Sequence, residues 1–138
     1  TKGIVNIKDG KVLDRTSETG LDDFDIRSIL ATKGKVYFGT NMGNIAFYDG
    51  SKWDVYSSRY LKTNKAILSM ASDPSGAVWI GTMGDGLIRI GEGKVSKFTS
   101  ADGLPSNVVR SLVFSDSLMW AACYGGVASI KVVEEKKK

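Results

Sequence analysis

The sequence predicts an all-β fold built from repeats of about 41 residues, each folding into four short antiparallel strands. One signal is the spacing of KVYFGT, AVWIGT and LMWAAC, whose aromatic residues Tyr37, Trp79 and Trp120 lie 42 and 41 residues apart. A second is the pair TSETGLDDFDIRS and TSADGLPSNVVRS, which begin at Thr16 and Thr99, about two periods apart. A third is the alternation of side chains with period two inside each repeat, as strands require.

Each repeat contains the same succession of strands and turns. The first strands, predicted at 26–31, 67–72 and 109–114, are mostly apolar on both faces, so we expect them to be buried on both faces. Short polar turns rich in Gly and Asp join the later strands as hairpins. No stretch of useful length shows the three-to-four spacing of an amphipathic helix.

Four-stranded units of this length are typical of propeller blades, which pack radially with the first strand lining the central channel. The 138 residues supply about three and a third blades and thirteen strands, so the sequence predicts a partial β-propeller. We expect the matched aromatic residues to pack in the core between neighbouring blades. The predicted repeat domain, 1–138, consists of a partial N-terminal blade at 1–24, blades at 25–65 and 66–107, and a partial C-terminal blade with a Lys-rich tail at 108–138.

The composition excludes several classes of function. The formal net charge of +4 owes three units to Lys136, Lys137 and Lys138, so the remainder is close to neutral and nucleic-acid binding is not predicted. The chain has no histidine and one cysteine, which excludes His or Cys zinc clusters, Ser-His-Asp triads and Cys-His dyads within one chain. No stretch is long and apolar enough for us to expect membrane insertion by this segment.

Carboxylates are the remaining candidates for metal or acid–base chemistry. Asp22, Asp23 and Asp25 cluster in one link between blades and Asp85 sits in a Gly-rich turn, and calcium takes oxygen ligands of this kind. Turn chemistry already accounts for these residues. Nothing in the sequence fixes two carboxyls at the separation that a glycosidase needs. We therefore predict no metal site, no cofactor and no catalytic residue.

The middle repeat resembles a known family. Residues 73–82 read DPSGAVWIGT and residues 84–87 read GDGL, which resemble the two-component regulator propeller repeat, with its Asp, then Gly, then Leu-Trp-Ile-Gly-Thr, then Gly-Gly-Leu. The first copy keeps Gly-Thr but has Tyr37 in place of Trp, and the last keeps Trp120 but has Ala-Cys in place of Gly-Thr. The resemblance covers nearly the whole chain.

The resemblance implies a function as well as a fold. Propellers of this family form sensor regions of hybrid histidine kinases and related bacterial receptors, in the periplasm or outside the cell, where they help to detect ligands such as glycans. The leading hypothesis is therefore a non-catalytic module that binds a ligand or a protein in bacterial signal transduction. The residues alone leave a cytoplasmic location open.

The candidate binding residues come from links between blades and from turns between second and third strands, which emerge on one face of a propeller. The link SSRYLKTNKAILS departs from the other two and contains Arg59, Tyr60 and Asn64, of which Tyr60 offers a ring for stacking. Asp85 and Tyr124 lie in the turns. We expect these five residues to contact a glycan or another small molecule.

Two alternatives remain open at this stage. A structural unit would close a propeller ring by self-association, as a homodimer or a higher oligomer, because an incomplete ring exposes two apolar blade faces. A propeller enzyme of the lyase or glycosidase type is a weaker alternative, because those chemistries rely on histidines or clustered arginines that this sequence lacks.

Overall fold

The computed structural model describes residues 3–132, which form thirteen β-strands, one short α-helix and two single 3-10 turns. The strands are β1 Val5–Lys8, β2 Lys11–Asp14, β3 Ile26–Thr32, β4 Lys35–Thr40, β5 Ile45–Tyr48, β6 Trp53–Tyr56, β7 Ile67–Ser72, β8 Val78–Thr82, β9 Leu87–Gly91, β10 Lys94–Phe98, β11 Val109–Ser115, β12 Leu118–Cys123 and β13 Gly126–Lys131. The helix α1 is Ser58–Leu61, and the 3-10 turns are Thr16–Glu18 and Ser100–Asp102. The all-β prediction is confirmed.

The strands form four antiparallel sheets, with orders β1-β2, β3-β4-β5-β6, β7-β8-β9-β10 and β11-β12-β13. Each sheet lies within one of the four predicted blades, whose boundaries remain a proposal. The predicted tail of Lys136, Lys137 and Lys138 lies outside the described residues. None of the described helices has the length and apolar character needed to cross a membrane.

Hairpin turns connect neighbouring strands with a backbone twist that suits antiparallel pairing. Both central residues have positive φ in several two-residue turns, as at Asp9-Gly10 and Glu92-Gly93. This is the conformation of the type I′ turn, which matches the right-handed twist of the flanking strands. The turns expected from the Gly and Asp pairs are thus confirmed.

The chain divides into two compact units, Thr1–Ile67 and Leu68–Lys138. In the first unit, a row of aromatic rings crosses the sheet β3–β6. The Tyr37 ring on β4 stacks on Phe47 of β5 with centroids 5.3 Å apart, and Phe47 lies 4.7 Å from Tyr56 of β6. Tyr37 is buried, as predicted, and this burial raises the pKa of its phenol.

In the second unit, the sheets β7–β10 and β11–β13 pack together through apolar side chains. The register places Trp79, Leu87 and Phe98 on one face of the first sheet, here named the Trp79 face. The opposing Met119 face of the second sheet carries Leu112, Phe114, Met119, Ala121, Ala128 and Ile130. Both sets belong to one hydrophobic cluster, in which Trp79 is 2% exposed and Met119 is fully buried.

A polar network anchors the buried Trp79 ring. The indole Nε1 donates to Asp73 Oδ2 at 2.8 Å, and the Arg89 guanidinium lies 5.6 Å above the ring, with its Nε 3.5 Å from the same carboxylate oxygen. The Asp73 side chain is fully buried. Burial alone raises the pKa of this carboxyl, but hydrogen bonds from Ser75 and Trp79 and the charge of Arg89 outweigh it and leave the pKa below its ordinary value.

Two expectations were wrong in detail. First, β3 and β11 are not buried on both faces: Ile29 and Val113 are 63% and 57% exposed, and the other face of β3 is only half-buried. Second, Trp120 is 40% exposed instead of lying in the core. The link after β6 contains the helical turn α1, which at four residues is too short to show a periodic pattern and leaves the all-β prediction unchanged.

Trp79→Ala is expected to lower the free energy of unfolding by about 3 to 5 kcal/mol, because it removes a large buried aromatic ring. Trp120→Ala is the matched control at the equivalent repeat position, and its half-exposed ring is expected to cost less than about half as much. Denaturant unfolding at low protein concentration measures both values. Equal losses for the two variants would contradict the contrast in burial.

The depressed pKa of Asp73 makes a contribution to stability that depends on pH. A carboxyl whose pKa is lower in the folded state stabilises the fold above its unfolded-state pKa, near 3.8, and this contribution disappears as the pH falls through the folded-state pKa. Asp73→Asn is therefore expected to be destabilised at neutral pH and to show a shallower acid dependence below about pH 4. Urea unfolding at a series of pH values tests this, and an unchanged slope in the variant would disprove it.

Candidate functional site

The first unit contains a cleft of about 950 Å³ that four separate chain segments build together. The first is Gly3 before β1, the second runs from the link before β3 to its first residue, the third is the turn between β4 and β5, and the fourth is the link after β6. The lining residues are Gly3, Asp22, Asp23, Phe24, Asp25, Ile26, Met42, Asn44, Ser58 and Asn64. Two links and a turn thus meet at one site beside Gly3.

Hydrogen bonds tie the first link to the turn. The Asn41 N–H donates to the carbonyl oxygen of Asp25 at 2.8 Å, and the Met42 N–H donates to Asp23 Oδ2 at 2.9 Å. The turn itself is closed by Thr40, whose Oγ1 accepts from the Asn44 N–H at 3.0 Å. One carboxylate of the Asp cluster is therefore used to hold the wall of the cleft.

The second link is fixed to the same turn. The Ser58 N–H donates to Asn44 Oδ1 at 2.8 Å, so one amide side chain joins the turn to the start of α1. Ser57 is the N-cap of α1 and accepts from the Tyr60 N–H at 3.1 Å. Lys62 ends the helix in the left-handed conformation, which redirects the chain toward Asn64.

Gly43 lets the turn and the second link approach closely. Its φ is +90°, and a Cβ at this position would lie 2.5 Å from the carbonyl oxygen of Thr63. Any other residue would therefore meet both backbone strain and a clash with main-chain atoms. The packing of the turn against the second link depends on this glycine.

The chemical character of the cleft is acidic and partly apolar. Asp22 and Asp25 are exposed, and among residues 3–132 neither forms an ion pair within 4.0 Å. Phe24, Ile26 and Met42 supply apolar surface, and the amides of the site supply donors and acceptors. Such a site suits a small polar ligand that offers hydroxyl or amino groups together with an apolar ring face.

The structure places the predicted residues in different surroundings. Asn64 lines the cleft, whereas Arg59 and Tyr60 are exposed on α1, between the lining residues Ser58 and Asn64. The Tyr60 ring stacks on Tyr56 at 5.5 Å with the planes 16° apart, and it is 43% exposed. Tyr60 thus presents an accessible aromatic ring that packs on Tyr56 and belongs to the link that contains two lining residues.

Asp85 and Tyr124 belong to the second unit and are not lining residues of the cleft. Asp85 is half-buried in the turn between β8 and β9, where its N–H donates to Thr82 Oγ1 at 2.9 Å. Tyr124 is 67% exposed, with the Arg110 guanidinium 5.8 Å over its ring. Their predicted role in binding remains a proposal, because neither residue lines the cleft.

Most of the cleft residues were not among the binding residues predicted from the sequence. Asp22, Asp23 and Asp25 were considered only as turn residues or calcium ligands, and Asn44 and Phe24 were not singled out. Residues 3–132 contain no group of three or more Asp, Glu, His or Cys side chains placed to hold a metal ion. Calcium binding is therefore not proposed, and the signal that marked this site was the unusual run DDFD in the link.

Comparison with known proteins supports the fold. No family model and no curated protein sequence matches this chain. The structure is similar to the extracellular domain of BT4673, a putative hybrid two-component system from B. thetaiotaomicron, with 19% identity and a TM-score of 0.68 over 93% of this chain. It is also similar to PorZ, a surface component of the type-IX secretion system of Porphyromonas gingivalis, with 20% identity and a TM-score of 0.67 over 80% of this chain.

These similarities define the fold. The chain has an all-β fold of the propeller type seen in the extracellular domain of a sensor system, which confirms the fold that the repeat motif implied. It spans 19% of the BT4673 chain and 18% of the PorZ chain. At this level of identity the chain shares the fold of these larger proteins. Any activity that it shares with them remains a proposal.

Gly43→Ala is expected to destabilise the first unit by about 3 kcal/mol, from the strain of a positive φ and the contact with Thr63. Gly50→Ala is the matched control, because Gly50 has φ +98° and open space around its position, so its expected cost is about 1 kcal/mol. Denaturant unfolding measures the difference. Similar losses at both positions would show that the close approach in the cleft does not matter.

Proposed function

We propose that this chain is a non-catalytic binding module of a bacterial sensor protein, in the periplasm or at the cell surface. The observation that carries the proposal is the convergence of two links and one turn on a single cleft of about 950 Å³ in the first unit. The similarity to extracellular sensor and surface proteins supports the same class of function and the same location.

The ligand proposed is a glycan or a similar small molecule rich in hydroxyl groups. The Asp25 carboxylate accepts hydrogen bonds from hydroxyls, and the Asn64 amide accepts through its oxygen and donates through its nitrogen. Hydrogen bonds in which one partner is charged, as at Asp25, are the stronger kind. The oriented ring of Tyr60 offers a stacking surface for a sugar, and Arg59 adds a cation beside it. These four residues act together only if the ligand extends from the cleft to α1.

The proposal is tested by measuring the binding of the purified chain to an array of glycans or small molecules. Asp25→Asn and Asn64→Ala are each expected to weaken binding by about fivefold or more, the loss of roughly 1 kcal/mol from one hydrogen bond. Asp54→Asn and Asn6→Ala are matched controls, since both residues are exposed and lie outside the cleft. If all four variants bound with the affinity of the unaltered chain, the cleft would not be the binding site. Absence of binding by the unaltered chain would also argue against the proposal.

A second proposed function is self-association, and a separate observation favours it. Large apolar side chains are exposed on the hairpin β1–β2 and on one face of the sheet β11–β13. They include Ile7 at 73%, Val12 at 64%, Val113 at 57% and Trp120 at 40%. Contiguous exposed apolar surface of this kind is typical of interaction sites. Ligand binding and assembly are compatible, because the cleft and these surfaces use different residues.

A further inference from the structure

The exposed side of the sheet β11–β13 is a repeat of a surface that is covered elsewhere in the same unit. The register sets Val113, Trp120 and Ser129 side by side on this side, here named the Trp120 face. Trp120 occupies the repeat position of Trp79, and Val127 that of Leu87. The Trp120 face therefore corresponds to the Trp79 face, which the Met119 face buries within the second unit.

A surface equivalent to the Met119 face is exposed on the hairpin β1–β2. Aligning GIVNIK from Gly3 with GVASIK from Gly126 matches Ile7 to Ile130, which packs on the Trp79 cluster. The register β1–β2 pairs Ile7 with Val12 and Val5 with Asp14, so these four residues share one face, here named the Ile7 face. Its three apolar residues are between 42% and 73% exposed.

We propose that the Trp120 face of one copy of this chain binds the Ile7 face of a second copy. This contact between two chains would resemble the packing of the Trp79 face on the Met119 face within the second unit of one chain. There, Trp79 and Phe98 lie beside Ile130 and Val132 around a shared pocket. The proposal rests on the self-association proposed above and specifies which surfaces make the contact.

The two surfaces differ, so the contact is heterologous. Each copy in a pair retains one unused Trp120 face or Ile7 face, and further copies are able to add in the same way. The facing surface of the two-stranded hairpin is small beside a standard interface of roughly 1,600 Å². Association is therefore expected to be weak and to depend on protein concentration.

Sedimentation velocity over a range of concentrations tests the contact. The unaltered chain is expected to associate as concentration rises, and Trp120→Lys or Ile7→Asp alone is expected to abolish this. Leu13→Asp is the matched control, because Leu13 is 48% exposed on the opposite face of the same hairpin. Val113→Lys and Val12→Asp provide second variants on each face, and circular dichroism checks that every variant is folded.

Mixing the two single variants gives the decisive result. Trp120→Lys retains its Ile7 face and Ile7→Asp retains its Trp120 face, so an equimolar mixture is expected to form heterodimers and nothing larger. Association of Ile7→Asp alone, or no association in the mixture, would overturn the proposed pairing while leaving self-association by other surfaces intact. A chain that stays monomeric at all concentrations would overturn both.

Discussion

The structure depends on one constraint: the apolar side chains on each face of a sheet must be buried against a neighbouring sheet. A strand of these repeats carries apolar side chains in both directions, so a single sheet has no purely polar side to present to water. In the second unit, the Trp79 face and the Met119 face cover each other and form one hydrophobic cluster. Trp120, at the repeat position of Trp79, is 40% exposed.

A buried indole ring also needs a hydrogen-bond acceptor for its N–H. The middle repeat provides one for Trp79. Asp73 stands six residues before Trp79 and accepts its N–H, while Arg89 lies across the strand pair and neutralises the carboxylate. At the corresponding positions of the last repeat the chain has Ser115 and Ser129. The best match to the repeat motif therefore coincides with the best satisfied core position.

Strands and turns were predictable from the sequence because their signals are local. Period-two alternation predicted the thirteen strands, and Gly and Asp pairs predicted the hairpins. Several of these hairpins, such as Asp9-Gly10, have the two positive φ values of a type I′ turn. Exposure was not predictable in the same way. Whether Trp79 or Trp120 is buried depends on a sheet that packs against it, and equivalent sequence positions do not reveal which of them has such a neighbour.

The candidate site was predictable only in part, for the same reason. The unusual link after β6 directed attention to Asn64, which lines the cleft, and to Tyr60, which stacks on Tyr56. The rest of the cleft depends on long-range contacts, such as the hydrogen bond from Ser58 to Asn44 and the approach of Gly43 to Thr63.

Acrylamide quenching of tryptophan fluorescence tests whether a covering sheet decides the burial of Trp79 and Trp120. Two variants are compared, one that retains only Trp79 and one that retains only Trp120, with the other tryptophans replaced by Phe. We expect Trp79 to be protected at every protein concentration, and Trp120 to be accessible in dilute solution and protected in concentrated solution. Equal protection of both rings in dilute solution would show that coverage does not distinguish the two positions.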